Sequence, residues 1–122
     1  MMNYKQFEIW IADLNPRQGT EAGKVRPVVI VQTNLLNDVE HPSIIICPLT
    51  TNVQKEAFLL RVHLLKGKFG LEKNSDVMID QVRAIDSKRL LHKIGTLSNS
   101  QAEKVKENLK IIFDLDYSIE FM

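Results

Sequence analysis

The 122-residue sequence is poor in the features that mark several classes of protein. Its single cysteine, Cys47, excludes an internal disulfide, and its place in an apolar segment predicts a small buried side chain. No apolar run approaches the roughly 20 residues of a transmembrane helix. The first residues, 1–6, lack the basic and apolar segments of a signal peptide. We therefore expect a cytoplasmic protein that has no membrane partner.

Sequence motifs for metals and nucleotides are also missing. The three histidines, His41, His63 and His92, form no His-x-x-x-His pair, and there is neither a cysteine-rich spacing nor a close carboxylate cluster. The glycines form neither a P-loop nor a dinucleotide-binding fingerprint. The sequence predicts no metal site and no cofactor, and it does not favour a catalytic histidine pair.

Composition is that of an ordinary globular domain. Apolar residues make up 44% and charged residues 25%, and the length suits one domain over residues 1–122. The formal net charge is only +1. Any binding to nucleic acid must therefore rest on a local basic surface and not on the field of the whole molecule.

Apolar periodicity predicts a mainly β fold (α+β) with short helical turns. In the first strand, Phe7, Ile9 and Ile11 alternate with their neighbours, which is typical of a strand with one buried face. The run Val28–Val31 is apolar throughout and predicts a strand buried on both faces, with Pro27 at its first position because proline lacks a donor. The predicted strands are residues 7–14, 28–32, 43–49, 57–65 and 77–85, with a helical turn within 34–42.

The last segment predicts an α-helix that packs on the β structure. Ser98 and Ser100 are both possible N-caps, because Gln101 and Glu103 follow three residues later and complete a capping box. Apolar residues then recur at helical spacing and form one stripe: Ala102, Val105, Leu109, Ile112 and Phe113. The pattern does not place the apolar residues of the tail, 117–122.

A charged, glycine-containing loop, residues 19–26, leads directly into the apolar second strand. Arg26 ends the loop, and a guanidinium group is the side chain best matched to a phosphate. A structural explanation stands beside this one, in which Arg26 pairs with Glu21 at the edge of the sheet. The sequence of the loop alone does not distinguish a phosphate-binding role of Arg26 from a structural ion pair with Glu21.

Four motifs in this order resemble the MazF/PemK family of toxin endoribonucleases. They are Gly19-Thr20-Glu21, Arg26-Pro27 with its strand, Pro48-Leu49-Thr50-Thr51, and Asp80-Gln81-Val82-Arg83. The resemblance spans most of the chain and implies a small SH3-like barrel with a C-terminal helix. It also implies a homodimer that binds single-stranded RNA, including mRNA, and a cognate antitoxin with an acidic segment.

Cleavage of RNA by its own 2′-OH needs a base, a group that stabilises charge on phosphorus, and an acid for the leaving oxygen. Arg26 suits the second role, Thr50 offers a hydroxyl donor, and Glu21 is either a base or an orienting group for Arg26. The resemblance implies that Arg26 and Thr50 are catalytic and that the products are a 2′,3′-cyclic phosphate and a 5′-OH. It further implies an RNA-binding surface that contains Gly19, Thr20, Thr51, Asp80 and Gln81.

One position departs from the family. The PemK-like branch has a second arginine two residues before the aspartate of the Asp-Gln motif, whereas this sequence has Met78 there. This favours an arrangement built on Arg26 and Thr50.

Two other functions stay open at the level of sequence. A CcdB-like gyrase poison shares the barrel but acts through aromatic residues at its C-terminus, whereas this chain ends Glu120-Phe121-Met122. Its only tryptophan, Trp10, lies in the first strand, where a structural role is expected. A non-catalytic SH3-like binding module would not need Arg26 and Thr50 together.

Overall fold

A computed structural model describes residues 3–116, so the tail at 117–122 lies outside the described residues. Within 3–116, seven strands and two α-helices follow in chain order. They are β1 (Glu8–Asp13), β2 (Val25–Ile30), α1 (Asn34–Asn37), β3 (Ser43–Thr50), β4 (Arg61–Leu64), β5 (Ser75–Met78), β6 (Arg83–Asp86), β7 (Leu90–Thr96) and α2 (Asn99–Ile112). Short 3-10 turns occupy Ile79–Gln81 and Ser87–Arg89.

All strand pairs are antiparallel, in the order β4-β5-β3-β2-β1-β7. The long strand β3 has two neighbours on one side, because its first half pairs with β6 and its end pairs with β5. The expected mainly β, barrel-like architecture with a C-terminal helix is confirmed, although the sheet does not close. None of the helices within 3–116 is long and apolar enough to cross a membrane.

The sheet is covered on both faces by separate apolar cores. One core contains Ile9 and Val29 together with residues of α2, and the other contains Trp10 and Val28. The expectation that β1 buries only one face is wrong, because β1 lies inside the sheet and sends alternate side chains into the two cores. Both faces of the central strands are therefore fixed by packing.

Two residues confirm their predicted structural roles. The side chain of Trp10 is buried, and its Nε1 donates a hydrogen bond of 3.0 Å to the Glu8 carboxylate. Cys47 is fully buried in the first core. Burial raises the pKa of the Cys47 thiol to about 12, with a smaller effect from the charge of Asp80. The thiol therefore stays protonated and behaves as a small apolar side chain.

The strand predicted at 57–65 is shorter than expected. Leu60 has a φ of 67°, which an extended strand does not allow, and its N–H donates to the side chain of Asn108 in α2 at 2.8 Å. Strand β4 therefore begins only at Arg61. The strand predicted at 77–85 is wrong in a similar way, because the 3-10 turn at Ile79–Gln81 divides it into β5 and β6.

Strand β2 begins earlier than predicted and contains Pro27 as its third residue, so the expectation that proline is first is wrong. Pairing with β3 starts only at Val28, so Pro27 has a ladder partner in β1 alone. Proline, which lacks an N–H donor, is tolerated at such a position. Strand β7 has no counterpart among the predicted strands. Its exposed residues give it a weak apolar pattern: Leu91, His92 and Lys93.

Helix α2 begins as predicted, with Ser98 as its N-cap and the Ser98 hydroxyl accepting a bond of 3.2 Å from the N–H of Gln101. Ser100 lies inside the helix. The predicted apolar stripe packs on the first core through Ala102 and Val105. Phe113 follows the helix and is exposed, so its inclusion in the buried stripe is wrong. The helical turn expected within 34–42 is α1.

Candidate active site

Arg26 lies near the start of β2, opposite the end of β3. The ladder between these strands pairs Val28 with Pro48, Val29 with Cys47 and Ile30 with Ile46. Each step along β2 is one step back along β3, so the same register continued past the ladder sets Arg26 against Thr50. The two residues are therefore neighbours across adjacent strand ends, as the sequence predicts for a shared site.

The Arg26 guanidinium is held in place by two backbone carbonyls. Its Nε donates to Gly23 at 2.7 Å and its Nη1 donates to Leu49 at 3.1 Å. A guanidinium has five N–H donors, so these two bonds leave further donors for a ligand. The bond to Leu49 also fixes the guanidinium beside the residue that precedes Thr50.

The positive charge of Arg26 has a like-charged neighbour. Burial lowers the pKa of the Arg26 guanidinium, and the charge of Arg17 lowers that pKa further. Arg17 is exposed and Arg26 is half-buried, and like charges held near each other are stabilised when an anion joins them. The arrangement is suited to a phosphate, whose oxygens accept charge-assisted hydrogen bonds from both groups.

Thr50 ends β3 and is half-buried. Its Oγ1 accepts a hydrogen bond of 3.1 Å from the N–H of Asn52, which shapes the turn that follows the strand. A hydroxyl has one donor as well as its acceptor lone pairs. The Thr50 hydroxyl can therefore keep this turn bond and still donate to an oxygen in the space next to Arg26.

A cleft of about 370 Å³ opens above these strand ends. It brings together five of the residues that the sequence singles out, and its walls include other cations and polar groups. The lining contains Arg17, Thr20, Glu21, Gly23, Lys24, Arg26, Thr50, Asn52, Met78 and Gln81. Three cationic side chains and one carboxylate thus meet in one depression, which favours an anionic ligand.

Three predicted RNA-binding residues lie outside this lining within the described part of the chain. Gly19 is exposed in the loop before it, and Asp80 is exposed on the 3-10 turn. Thr51 follows Thr50 but faces a second cleft, also about 370 Å³, whose walls include Lys73 and His92. Their proposed contacts with RNA therefore belong to the surroundings of the cleft.

Gln81 fastens the glycine-containing loop to the β5–β6 connection. Its Nε2 donates to the carbonyl of Thr20 at 3.1 Å, and its Oε1 accepts from the N–H of Ala22 at 3.2 Å. The other end of this loop packs closely at Gly23, where an added Cβ would stand 2.6 Å from the Cβ of Arg17. The Gly23 carbonyl is held there by its hydrogen bond from Arg26. The loop therefore carries Glu21 on a backbone anchored from both sides.

The structure does not support the structural explanation of Arg26. Among the ion pairs formed within residues 3–116, none joins Arg26 to Glu21. Glu21 is exposed on the rim of the cleft. Its carboxylate is thus available to a ligand, and Arg26 is oriented by backbone carbonyls instead.

Sequence reasoning missed several residues of the cleft. Arg17 and Lys24 add positive charge, and Asn52 forms part of the wall beside Thr50. Arg17 lies beyond the end of the first predicted strand, 7–14, so no strand pattern points to it. Met78 lies in the cleft, at the position where the PemK-like branch has arginine, and this site therefore draws its second cation from a different element.

Comparison with known proteins connects this geometry to a family. The family model of PemK-like, MazF-like toxins of type II toxin–antitoxin systems matches residues 5–113. The endoribonuclease MazF of Staphylococcus epidermidis is 37% identical over 112 residues, which are 92% of this chain and 92% of that protein.

Solved structures share the architecture. A Mycobacterium tuberculosis toxin, MazF-mt6, superposes with a TM-score of 0.73 at 29% identity and covers 90% of this chain and 99% of its own. A MazE–MazF structure from Deinococcus radiodurans gives a TM-score of 0.73 at 19% identity over 95% of this chain and all of that one, which shows the fold alone.

Proposed function

The chain belongs to the PemK-like, MazF-like family of toxins of type II toxin–antitoxin systems, and from that premise we propose that it cuts single-stranded RNA, mRNA included, at specific sequences. The observation that carries the proposal is the cleft in which Arg26 and Thr50 meet across two strand ends. We place the activity in the cytoplasm, where mRNA is available, and assign it to a single domain over residues 1–122.

The reaction begins at the ribose. We assign the Glu21 carboxylate as the base, because it stands on the rim of the cleft and forms no ion pair with Arg26 within the described residues. It accepts the proton of the 2′-OH. The 2′-oxygen attacks the adjacent phosphorus, the bond from phosphorus to the 5′-oxygen breaks, and the 5′-oxygen takes a proton from water in the open cleft. The products are a 2′,3′-cyclic phosphate and a 5′-OH.

Charge builds on the phosphoryl oxygens as the 2′-oxygen attacks. The free N–H groups of Arg26 and the hydroxyl of Thr50 are donors on rigid strand ends, so they are oriented before the reaction starts. Arg17 supplies the second cation of the cleft. No step needs a metal, and the sequence offers no metal-ligand spacing to support one.

The partners follow from the same premise. We propose that the active unit is a homodimer, and that a cognate antitoxin inhibits it with an acidic segment. The three cationic side chains of the cleft support this, because an acidic peptide would compete with RNA phosphates for them.

Cleavage of a long mixed-sequence RNA, mapped by primer extension, tests the function. We expect discrete cut sites that persist in excess EDTA, because the 2′-OH is the nucleophile. A substrate with a 2′-deoxy nucleotide at the mapped site is expected to resist. Cleavage that is abolished by the chelator, or that is equally fast on the deoxy substrate, would contradict the mechanism. Loss of gyrase supercoiling with intact RNA would point to a topoisomerase poison instead.

A further inference from the structure

A buried carboxylate outside the cleft organises one of the cleft's walls. Asp76 lies on β5 and is completely buried, and its backbone pairs with that of Thr50 in β3. Its Oδ2 accepts hydrogen bonds from Arg61 Nη1 at 3.1 Å and from the N–H of Gln54 at 2.9 Å. Its Oδ1 lies 2.6 Å from Nδ1 of His63. An ionised side chain is rarely buried this fully unless it is paired.

Both ring nitrogens of His63 face hydrogen-bond acceptors. Its Nδ1 faces the Asp76 carboxylate, and its Nε2 lies 2.7 Å from the carbonyl oxygen of Ala57. Only the imidazolium form donates from both ring nitrogens. The geometry is therefore that of a protonated histidine that bridges β5 and the end of the segment before β4.

The same three side chains hold the segment 52–57 along its length, and we call it the 52–57 loop. Arg61 Nη1 donates to the carbonyl of Asn52 at 3.2 Å, so it joins the start of the loop to Asp76. The N–H of Gln54 reaches Asp76 directly, and His63 holds the end of the loop at Ala57. One carboxylate thus fixes the start, the middle and the end of the loop.

The start of the loop so held borders the cleft beside Thr50. Asn52 lines the cleft, and its N–H donates to the Thr50 hydroxyl. The backbone of Thr50 is positioned by the β3 ladder with β5, and the loop contacts Thr50 only at its hydroxyl. A change in the loop should therefore alter contacts with RNA next to the scissile phosphate more than it alters the catalytic donors.

We propose that Asp76 is a positioning residue for RNA binding, which holds the 52–57 loop through Arg61 and His63 in the conformation that contacts the nucleotides beside the cut. This proposal rests on the proposed function. It assigns to the Asp76 group a role in the strength and sequence preference of RNA binding, apart from the catalytic step at Arg26 and Thr50.

Asp76→Asn tests the proposal, and Asp38→Asn is the matched control. Asp38 pairs with Lys5 on the surface near α1, so the control makes the same change of charge at a different ion pair. Kinetics are measured on an oligonucleotide that carries a mapped cut site, at a temperature where all variants are folded. We expect Asp76→Asn to raise KM about tenfold and to change kcat by less than about threefold. The control should change neither.

Two readouts need no RNA cleavage. Amide exchange at Gln54 should be about tenfold faster in Asp76→Asn, because the amide loses a charged acceptor. The ring nitrogen signals of His63, followed as a function of pH, should change from imidazolium to neutral imidazole at a lower pH in Asp76→Asn, because the charged acceptor at Nδ1 is lost. Neither should change in Asp38→Asn.

Arg61→Gln covers the case in which Asp76→Asn does not fold, because it removes only the bridge from Asp76 to Asn52 and leaves the His63 pair. It should also raise KM and broaden the set of cut sites on mixed-sequence RNA. Unchanged KM and unchanged cut sites in the folded variants would overturn the positioning role. Absence of cleavage by the wild-type protein would overturn the proposed function and the RNA role with it. Amide exchange at Gln54 and the His63 signals would still decide whether Asp76 holds the 52–57 loop.

Discussion

Arg26 has two roles in this structure, one in shaping the site and one in the proposed chemistry. Its bonds to the carbonyls of Gly23 and Leu49 tie the loop to β3, and its remaining donors face the cleft. We expect Arg26→Ala to lower the cleavage rate by about 10²–10³-fold or more, because a preorganised charged donor is lost. The initial rate on a mapped RNA site measures this. Thr50→Ala should lose a similar or smaller factor.

Arg26→Ala should also affect the stability of the fold. A surface arginine would leave stability unchanged, but loss of these two bonds should lower the free energy of unfolding by about 1–3 kcal/mol. Glu21→Gln is the informative partner, since Glu21 forms no ion pair with Arg26 within residues 3–116. It should lose activity with an unchanged melting temperature. Equal losses of stability in both variants would support the ion pair instead, and near-normal cleavage by folded Arg26→Ala would refute the mechanism.

Arg17 is the second cation of the cleft and should act on binding. Arg17→Ala is expected to weaken RNA binding and to make the slope of log affinity against log salt shallower by about 0.7, the value for one phosphate contact on a single strand. Binding is measured on a 2′-deoxy substrate at several salt concentrations. Lys68→Ala, in an exposed loop, should leave the slope unchanged. A slope that is the same in both variants would remove Arg17 from the RNA site.

Residue identity predicts the position of the proposed catalytic pair, Arg26 and Thr50, better than it predicts the contacts that support this pair. Arg26 and Thr50 stand at the ends of recognisable apolar strands, so sequence order and register place them together. The hydrogen bonds of Gln81 and the buried charge of Asp76 depend on contacts between residues that are 13 or more positions apart. Such contacts leave no local periodicity, and sequence alone therefore does not reveal them.

At the scale of elements, α2 determines where β4 starts. Asn108 is buried, accepts a bond from the N–H of Leu60 and donates to the carbonyl of Lys104 at 3.0 Å. Asn108→Ala should lower the free energy of unfolding by about 0.5–1.5 kcal/mol, because the Leu60 N–H loses its hydrogen-bond acceptor. Denaturant unfolding measures this, with Lys104→Ala on the exposed side of the helix as the control. An effect no larger than that of the control would mean that water satisfies Leu60.

An ion pair between His63 of β4 and Asp76 of β5 joins these strands, and its contribution to stability depends on pH. The hydrogen bond with Asp76 is the main cause that raises the pKa of His63 above 6.5, and burial opposes the shift. The pair therefore contributes its full stability at pH values below the pKa that His63 has in the unfolded chain. It loses this contribution as pH rises through the pKa of His63 in the folded protein. His63→Gln should destabilise the protein more at about pH 5.5 than at about pH 8.5. The exposed His92→Gln should show no such trend, and an equal effect of His63→Gln at both pH values would contradict a charged pair.

The errors in the predicted strands have related causes. Apolar residues extend from 57 to 65 and from 77 to 85, so periodicity alone gives two long strands. Tertiary contacts interrupt them, through the left-handed backbone of Leu60 and its bond to α2 and through the 3-10 turn at Ile79–Gln81. The N-cap of α2 is local, by contrast, and the sequence predicts it at Ser98.

At the scale of the whole molecule, the described surface leaves large apolar side chains open to solvent. Phe58, Leu91 and Phe113 are at least half exposed, and exposed apolar side chains that form one continuous patch are typical of a partner interface. We expect the protein to sediment at micromolar concentration with twice the chain mass of 14.0 kDa, as a symmetric dimer with one self-complementary interface. A monomer alone under these conditions would contradict the proposed homodimer.

The geometry of the cleft makes a sharper prediction about that dimer. Arg26 and Thr50 are brought together by the β2–β3 register within one chain, and the bond from Arg26 to Leu49 is also within one chain. Each subunit of the proposed homodimer would therefore hold both of the proposed catalytic groups of its own site. When Arg26→Ala and Thr50→Ala proteins are unfolded together and refolded, the mixed dimers should stay as inactive as either parent, because every site still lacks one group. Mixing wild type with Arg26→Ala in the same way should keep activity in proportion to the wild-type chains, which checks that refolding works. Recovered cleavage in the first mixture would show that the site is assembled from two subunits, and the intrachain pairing of Arg26 with Thr50 would then not be the catalytic one.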